Sequence, residues 1–175
     1  MMKTCLVVVA SLLLGVLMAS PASAQGVFKV EKGETFNKVV PKDFVLEENA
    51  IPTEKRNSVL ALTPSGGRLI TGLLDTSGYS SQVQEKYMGM LIAEGPLTVC
   101  GHEVGTGSYG FGLARSAAGA QGHASKFMLY NQAGKKVAEC TANWDAKIKS
   151  PRPLQIIVGG ATARLYLGRT WVVLK

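Results

Sequence analysis

Short apolar runs alternate with turn-forming residues from Asn57 to the end of the chain. Runs of this length, separated by Gly, Pro, Ser and Asn, are typical of strands in an antiparallel sheet. We count about eight such strands at the spacing of an all-β domain. Residues 57–175 are therefore predicted to form a mainly β domain, either a single antiparallel β-barrel or a two-layer β-sandwich, with at most one or two short helices.

Two predicted hairpins are marked by their turns. The polar residues 131–134 separate the β-compatible arms "KFMLY" and "KKVAEC". Near the end of the chain, Gly159 and Gly160 separate "LQIIV" from "ARLYLGRTWVVL", which we interpret as the last two arms of the sheet.

One segment departs from strand periodicity. In "SSQVQEKYMGML", Val83 and Tyr87 are spaced as on a helix, and Ser81 followed by Gln84 fits a capping box. Gly89 disfavours a long helix. The segment predicts one helical turn from about Ser80 that gives way to a strand near Lys86.

Residues 104–119 carry Gly105, Gly107 and Gly110 at the G-x-G-x-x-G spacing of a dinucleotide-binding loop. Such a loop opens a helix and is followed, about 20 residues later, by an acidic residue. Further glycines interrupt any helix here, and no acid occurs between Glu103 and Glu139. We therefore expect no dinucleotide. Instead, the pattern predicts a strand that either bends sharply or is closely crossed by another backbone, with one face formed by Ser108, Gly110 and Gly112 and the other by Tyr109, Phe111 and Leu113.

The first 24 residues have the pattern of a secretory signal peptide. Lys3 precedes an uncharged apolar run at residues 5–18, and Ala22 and Ala24 frame a small-residue cleavage site. The run is shorter than a bilayer span. We expect an exported protein, periplasmic or secreted, with no transmembrane segment in the mature chain. Residues 25–56 follow as a charged segment predicted to be irregular.

Two cysteines, Cys100 and Cys140, remain in the predicted mature chain. In an oxidising compartment such a pair predicts a disulfide. A metal site is the alternative, because Cys100, His102, His123 and Cys140 supply the ligand types of a tetrahedral zinc site.

Candidate ligand-binding residues fall into two groups. Met90, Tyr109 and Phe111 are placed to line the cavity of a barrel that carries a small ligand. In the C-terminal arms, planar groups can stack on arginine beside an aromatic ring. On a single strand, Arg164 and Tyr166 would share one face, and Arg169 and Trp171 the other.

The net charge is positive and is concentrated near the end of the chain, but it does not identify a partner. The chain has a formal net charge of +7, and no acid follows Asp145. We interpret this basic end as a solvated face and do not expect nucleic acid as partner. The sequence contains no cofactor motif and no recognisable set of catalytic residues. An enzyme stays an alternative, because His102 or His123 can meet catalytic partners that are distant in the sequence.

We therefore expect an exported β-domain that binds a small ligand or an envelope or protein partner rather than catalysing a reaction. The alternatives are an envelope-assembly or structural accessory protein with a filled core, and a periplasmic metal-binding protein.

Overall fold

The computed structural model describes residues 26–115 and 125–175. Within them the chain forms thirteen β-strands and two short α-helices. In chain order these are β1 (Lys29–Glu31), α1 (Glu34–Val39), β2 (Asp43–Leu46), β3 (Asn49–Leu62), β4 (Arg68–Leu74), α2 (Ser81–Lys86), β5 (Gly89–Ala93), β6 (Leu97–Val99), β7 (His102–Val104), β8 (Gly107–Arg115), β9 (Ser125–Asn131), β10 (Lys136–Trp144), β11 (Gln155–Gly159), β12 (Thr162–Leu167) and β13 (Thr170–Leu174). The predicted signal peptide at residues 1–24 lies outside the described residues.

The strands form one antiparallel sheet that curls into a nearly closed barrel. The order of paired neighbours is β1-β3-β4-β5-β8-β9-β10-β13-β12-β11, with β2 beside β3, β6 beside β13 and β7 beside β6. The two ends of the sheet meet where the Phe28 N–H donates to the Gly160 carbonyl oxygen at 2.9 Å. The prediction of a mainly β, antiparallel fold with at most two short helices is confirmed. The strands outnumber those expected because several have only three residues.

The inside of the barrel holds the larger of two hydrophobic cores, here called the inner core. Its members come from strands around the whole sheet, and residues such as Leu91, Phe111, Phe127 and Leu165 are fully buried. The rings of Phe111 and Phe127 stack with their centroids 5.6 Å apart. These side chains pack the interior together.

A second hydrophobic core, here called the outer core, covers the opposite side of β3, β4 and β5. In β4, Leu69 belongs to the inner core and its neighbour Ile70 to the outer core, as the two-residue period of a strand requires. Strand β2 and both helices lie over this side of the sheet. The buried members of the outer core are Val40, Phe44, Leu46, Ile51, Leu60, Ile70, Leu74, Tyr87 and Met90.

The glycines of β8 are explained by this cover. A Cβ built on Gly110 would lie 2.7 Å from ring carbons of Tyr87, and one on Gly112 would lie 2.2 Å from the carbonyl oxygen of Lys86. The other face of β8 contributes Phe111 to the inner core. The glycine face thus receives the end of α2, which confirms the predicted strand and the close backbone crossing.

The N-terminal segment differs from the irregular course expected for residues 25–56. It contains β1, α1 and β2, and β3 begins at Asn49, before the expected boundary at residue 57. Strand β2 is short, and its apolar residues acquire a buried face only when β2 pairs with β3 over the sheet. The strand conformation of β2 therefore depends on its pairing with β3 and not on its own short sequence.

Helix α2 occupies the position expected from its periodicity. Its N-cap is Ser80, whose Oγ accepts a hydrogen bond from the Val83 N–H at 3.4 Å. The expected Ser81–Gln84 capping box is displaced by one residue, and the Gln84 side chain donates instead to the Tyr79 carbonyl. No helix in residues 26–115 and 125–175 combines the length and apolar character needed to cross a bilayer.

Candidate functional site

The two C-terminal strands bring three of the predicted ligand-binding residues onto one outer face. The arm expected to be continuous reverses at Gly168, whose φ of 66° suits a tight turn. Tyr166 pairs directly with Trp171 across the hairpin. The expectation that Trp171 faces away from Arg164 and Tyr166 is therefore wrong, because directly paired residues of neighbouring strands lie on the same face.

Arg164, Tyr166 and Trp171 contact each other on this face. The Arg164 guanidinium carbon lies 4.2 Å from the centroid of the Trp171 ring. The Tyr166 and Trp171 ring centroids are 6.1 Å apart. A cation–π contact contributes about 0.5–2 kcal/mol, depending on desolvation. Because Arg164 covers a face of the indole, an incoming planar group would meet the exposed guanidinium on that side.

Arg169, the fourth predicted residue of this group, holds the backbone of a loop instead of joining the aromatic face. Its Nη1 donates to the Ala146 carbonyl oxygen at 3.2 Å and to the carbonyl oxygen of Ile148. Asp145 at the start of this loop accepts a hydrogen bond from the Tyr166 hydroxyl at 2.9 Å. That bond lowers the pKa of Asp145, which therefore keeps its negative charge.

The three residues expected around a small ligand are not brought to one cavity. Phe111 and Tyr109 pack in or against the inner core, whereas Met90 lies in the outer core on the opposite side of the sheet. The Tyr109 hydroxyl donates to the Gly105 carbonyl at 2.9 Å. An open cleft of about 450 Å³ lies elsewhere, at the C-terminal end of β13, lined by Pro96, Leu97, Thr98, Glu103, Val104, Gly105 and Lys175.

Cys100 and Cys140 face one another. Their sulfur atoms are 2.10 Å apart, a disulfide distance that links the β6–β7 turn to β10. Both thiols of the alternative metal site are thus engaged with each other. His102 is held by a 3.1 Å hydrogen bond between its Nε2 and the Glu139 carbonyl oxygen. The remaining proposed ligand, His123, lies outside the described residues.

A feature missed in the sequence is the character of the strands that pair on one side only. In the described part of the chain these are β1, β2, β7 and β11. Three of them carry charge: β1 has Lys29 and Glu31, β2 has Asp43, and β7 has Glu103. Strand β11, with the sequence QIIVG, has none. The absence of charge in this arm was the available sequence signal.

Strand β11 also exposes large apolar side chains. Ile157 and Val158 are 43% and 42% exposed. Ile157 pairs with Arg164 and therefore lies on the same outer face as the Arg164–Trp171 contact. The C-terminal part of the sheet thus combines an apolar edge with an exposed cation.

A polar cluster was also missed, at the junction between the outer cover and the barrel. Glu47 accepts hydrogen bonds from the Lys86 ammonium and the Tyr87 hydroxyl. The Lys86 Nζ lies 5.0 Å from the centroid of the Tyr130 ring. Contact with Lys86, followed by that with Tyr87, holds the pKa of Glu47 below its usual value. Burial, followed by the bond to Glu47, raises the pKa of Tyr87.

This cluster supports an uncommon turn. Glu47 and its neighbour Glu48 both adopt left-handed backbone conformations, with φ of 46° and 66°. Residues other than Gly, Asn and Asp rarely adopt this conformation. The Glu47 N–H donates to the Gln132 carbonyl oxygen at 2.8 Å, which ties the turn to the β9–β10 turn. The cluster thus fixes the cover to the barrel.

Comparisons with models of protein families, with curated proteins and with solved structures found no match to this chain.

Proposed function

We propose that this chain is an exported binding protein whose strand β11 receives an extended segment of a partner polypeptide. The segment adds to the sheet as a further strand, so that backbone hydrogen bonds supply affinity and alternate side chains supply selectivity. The segment is apolar at the positions beside Ile157 and Val158 and carries net negative charge.

The observation that carries the proposal is the uncharged, one-sided strand β11 with its exposed Ile157 and Val158. Proteins protect sheet edges from unwanted pairing with charges, prolines or very short strands. The other one-sided strands of the described chain have charges, and β1 and β7 have only three residues each. Strand β11 lacks these devices. Because the Phe28 N–H already donates to Gly160 where the sheet nearly closes, the partner segment would pair beside residues 155–158.

The charge of the partner follows from the composition of the C-terminal region. Residues 146–175 contain no Asp or Glu, while six Lys or Arg residues occur there. One of these, Arg164, is exposed in the strand next to β11 and pairs with Ile157. A basic surface raises the association rate of an acidic segment and repels a second copy of the same basic surface.

Binding of a synthetic nine-residue peptide of alternating valine and glutamate tests this function. We expect saturable binding to the full chain by fluorescence anisotropy. Methylation of alternate backbone nitrogens should weaken it about tenfold or more, because each lost hydrogen bond costs about 1 kcal/mol. No binding at millimolar peptide, or equal binding of the methylated peptide, would contradict the proposal.

The matched variants are Ile157→Glu and Val45→Glu. Val45 is 48% exposed and also lies on a one-sided strand, β2, so both changes add one negative charge to an exposed apolar edge position. Only Ile157→Glu should weaken peptide binding, by about tenfold or more, because it removes an apolar contact of about 1–2 kcal/mol and places a like charge beside the glutamates of the peptide. If sedimentation instead shows a stable dimer that Ile157→Glu dissociates, the occupant is a second copy and the proposal is wrong.

A further inference from the structure

A basic loop at the β13-start end of the barrel forms a second surface, separate from the β11 edge. Residues 145–154 connect β10 to β11, and the β12–β13 turn holds their backbone. The Asp145 N–H donates to the Arg169 carbonyl oxygen at 2.9 Å, and the Gly168 N–H donates to that of Arg152 at 3.1 Å. Arg169 donates back to the Ala146 carbonyl oxygen. These hydrogen bonds hold the backbone of residues 145–154 in a defined position on the barrel.

Three side chains that project from this loop into solvent are cationic. Lys147, Lys149 and Arg152 are exposed, and the carbonyl oxygens of Ala146 and Ile148 accept hydrogen bonds from Arg169. Asp145, the acid at the start of the loop, already accepts a hydrogen bond from Tyr166 at 2.9 Å. Three cations on one short, pinned segment create a local positive potential.

An indole side chain immediately precedes the loop that carries these cations. Trp144 ends β10 immediately before the loop and is 42% exposed. Ile148, half-buried between Lys147 and Lys149, adds apolar surface. Trp side chains favour the headgroup level of a bilayer, where an apolar ring meets a polar environment, and lysine and arginine are attracted to anionic headgroups. Nucleic acid would use the cations, but it gives no reason for the half-buried isoleucine.

We propose that Trp144, Lys147, Lys149 and Arg152 dock this protein on the surface of an anionic lipid bilayer. The molecule rests on the headgroups with the loop facing them, Trp144 enters the interface, and the three cations neutralise lipid phosphates. Binding of this kind is peripheral and reversible. The site is independent of β11 and does not rest on the proposed function.

The size of the effect follows from the charges. A cation near an anionic membrane surface strengthens binding about fivefold, so removal of three should lower the partition coefficient about a hundredfold. High salt should have a similar effect on the wild type, because the screening length falls from about 10 Å at 0.1 M to about 3 Å at 1 M.

Co-sedimentation with vesicles tests the proposal. Protein recovered after expression of the full chain is mixed with vesicles of phosphatidylcholine alone or of equal parts phosphatidylcholine and phosphatidylglycerol. The test variant changes Lys147, Lys149 and Arg152 to Gln, and the matched control changes Lys32, Lys38 and Lys42 to Gln. The control residues are exposed cations of the N-terminal segment, so both variants lose three charges. Urea unfolding verifies that both remain folded.

We expect binding to the anionic vesicles alone, a loss of about a hundredfold in the test variant and a much smaller loss in the control. In a Trp171→Phe background, the emission of Trp144 should shift to shorter wavelength when anionic vesicles are added. Equal loss in both triple variants, equal binding to neutral vesicles, or an unchanged Trp144 emission overturns the proposal. Tighter binding to a short DNA duplex than to the anionic vesicles also overturns it, and identifies the loop as a nucleic-acid surface.

Discussion

The two sides of this barrel differ in how the sheet meets solvent. Strands β3, β4 and β5 are covered on both faces, by the inner core on one side and by β2 and the two helices on the other. Strand β11, at the end of the same sheet, is covered only by the inner core, and its outer face exposes Ile157. One side is built as a three-layer structure. On the other side the outer face is exposed at Ile157 of β11, while Tyr166 of the neighbouring β12 is buried and bonded to Asp145.

This difference suggests that the doubly covered strands provide most of the stability, whereas the exposed edge at β11 is available for binding. Residues buried in two cores contribute most of the free energy of folding, since burial scales with the apolar area removed from water. An exposed edge contributes little, and local opening is easiest where few apolar contacts hold the backbone. We expect the C-terminal edge to tolerate substitution and the doubly covered strands to resist it.

The largest expected difference is between Leu60→Ala and Ile157→Ala. Leu60 is fully buried in the outer core, and its truncation should lower the free energy of unfolding by about 3–5 kcal/mol through lost burial and a cavity. Ile157 is 43% exposed, so its truncation should cost about 0.5 kcal/mol or less. Urea unfolding followed by circular dichroism measures both. Similar losses in the two variants would show that the outer cover adds no stability.

A smaller effect is expected from adding one methyl group under the cover. In Gly112→Ala the new Cβ would lie 2.2 Å from the Lys86 carbonyl oxygen, so α2 or β8 must move. We expect a loss of about 1–3 kcal/mol in the free energy of unfolding. The control is Gly105→Ala, where no atom lies within 4 Å of the new Cβ. A loss confined to Gly112→Ala confirms that α2 packs on β8 in solution.

The elements that the sequence predicted well are those whose signals are local. Helix α2 and the turn at residues 131–134 follow from side-chain spacing and from turn residues. The two faces of β8 follow from strict alternation of glycine with apolar residues. In each case the decisive contacts lie within a few residues, or the period itself shows which side is buried.

The features that were missed depend on contacts between distant parts of the chain. The two left-handed positions of the β2–β3 turn are Glu47 and Glu48 rather than Gly or Asn, so neither signals its backbone conformation. Asn49 supports the turn locally, with its side chain donating to the Leu46 and Glu47 carbonyl oxygens, but the remaining support comes from Lys86, Tyr87 and Gln132, about 40 or more positions away. The reversal at Gly168 falls inside an arm that we expected to be one continuous strand. Because of it, the expected faces of Arg164 and Trp171 were wrong.

The smallest predicted effect concerns the attachment of the cover to the barrel through Glu47. Removal of the charge in Glu47→Gln should lower the free energy of unfolding by about 1 kcal/mol at pH 7, the usual size for a partly exposed ion pair. The control is Glu48→Gln, which removes the same charge from an exposed neighbour that has the same left-handed backbone. We expect little change in that control.

The pH dependence gives the sign of this contribution. Contacts with Lys86 and Tyr87 keep the pKa of Glu47 lower in the folded chain than in the unfolded one. Its stabilisation is therefore complete above the unfolded pKa, near 4.3, and is lost as the pH falls through the folded value. Urea unfolding of wild type and Glu47→Gln between pH 7 and pH 3 should show converging free energies. Amide hydrogen exchange should locate the difference in the β2–β3 hairpin and not in β11, because only the cover depends on this carboxylate. A constant gap between the two proteins, or faster exchange in β11, would show that Glu47 acts on the whole barrel.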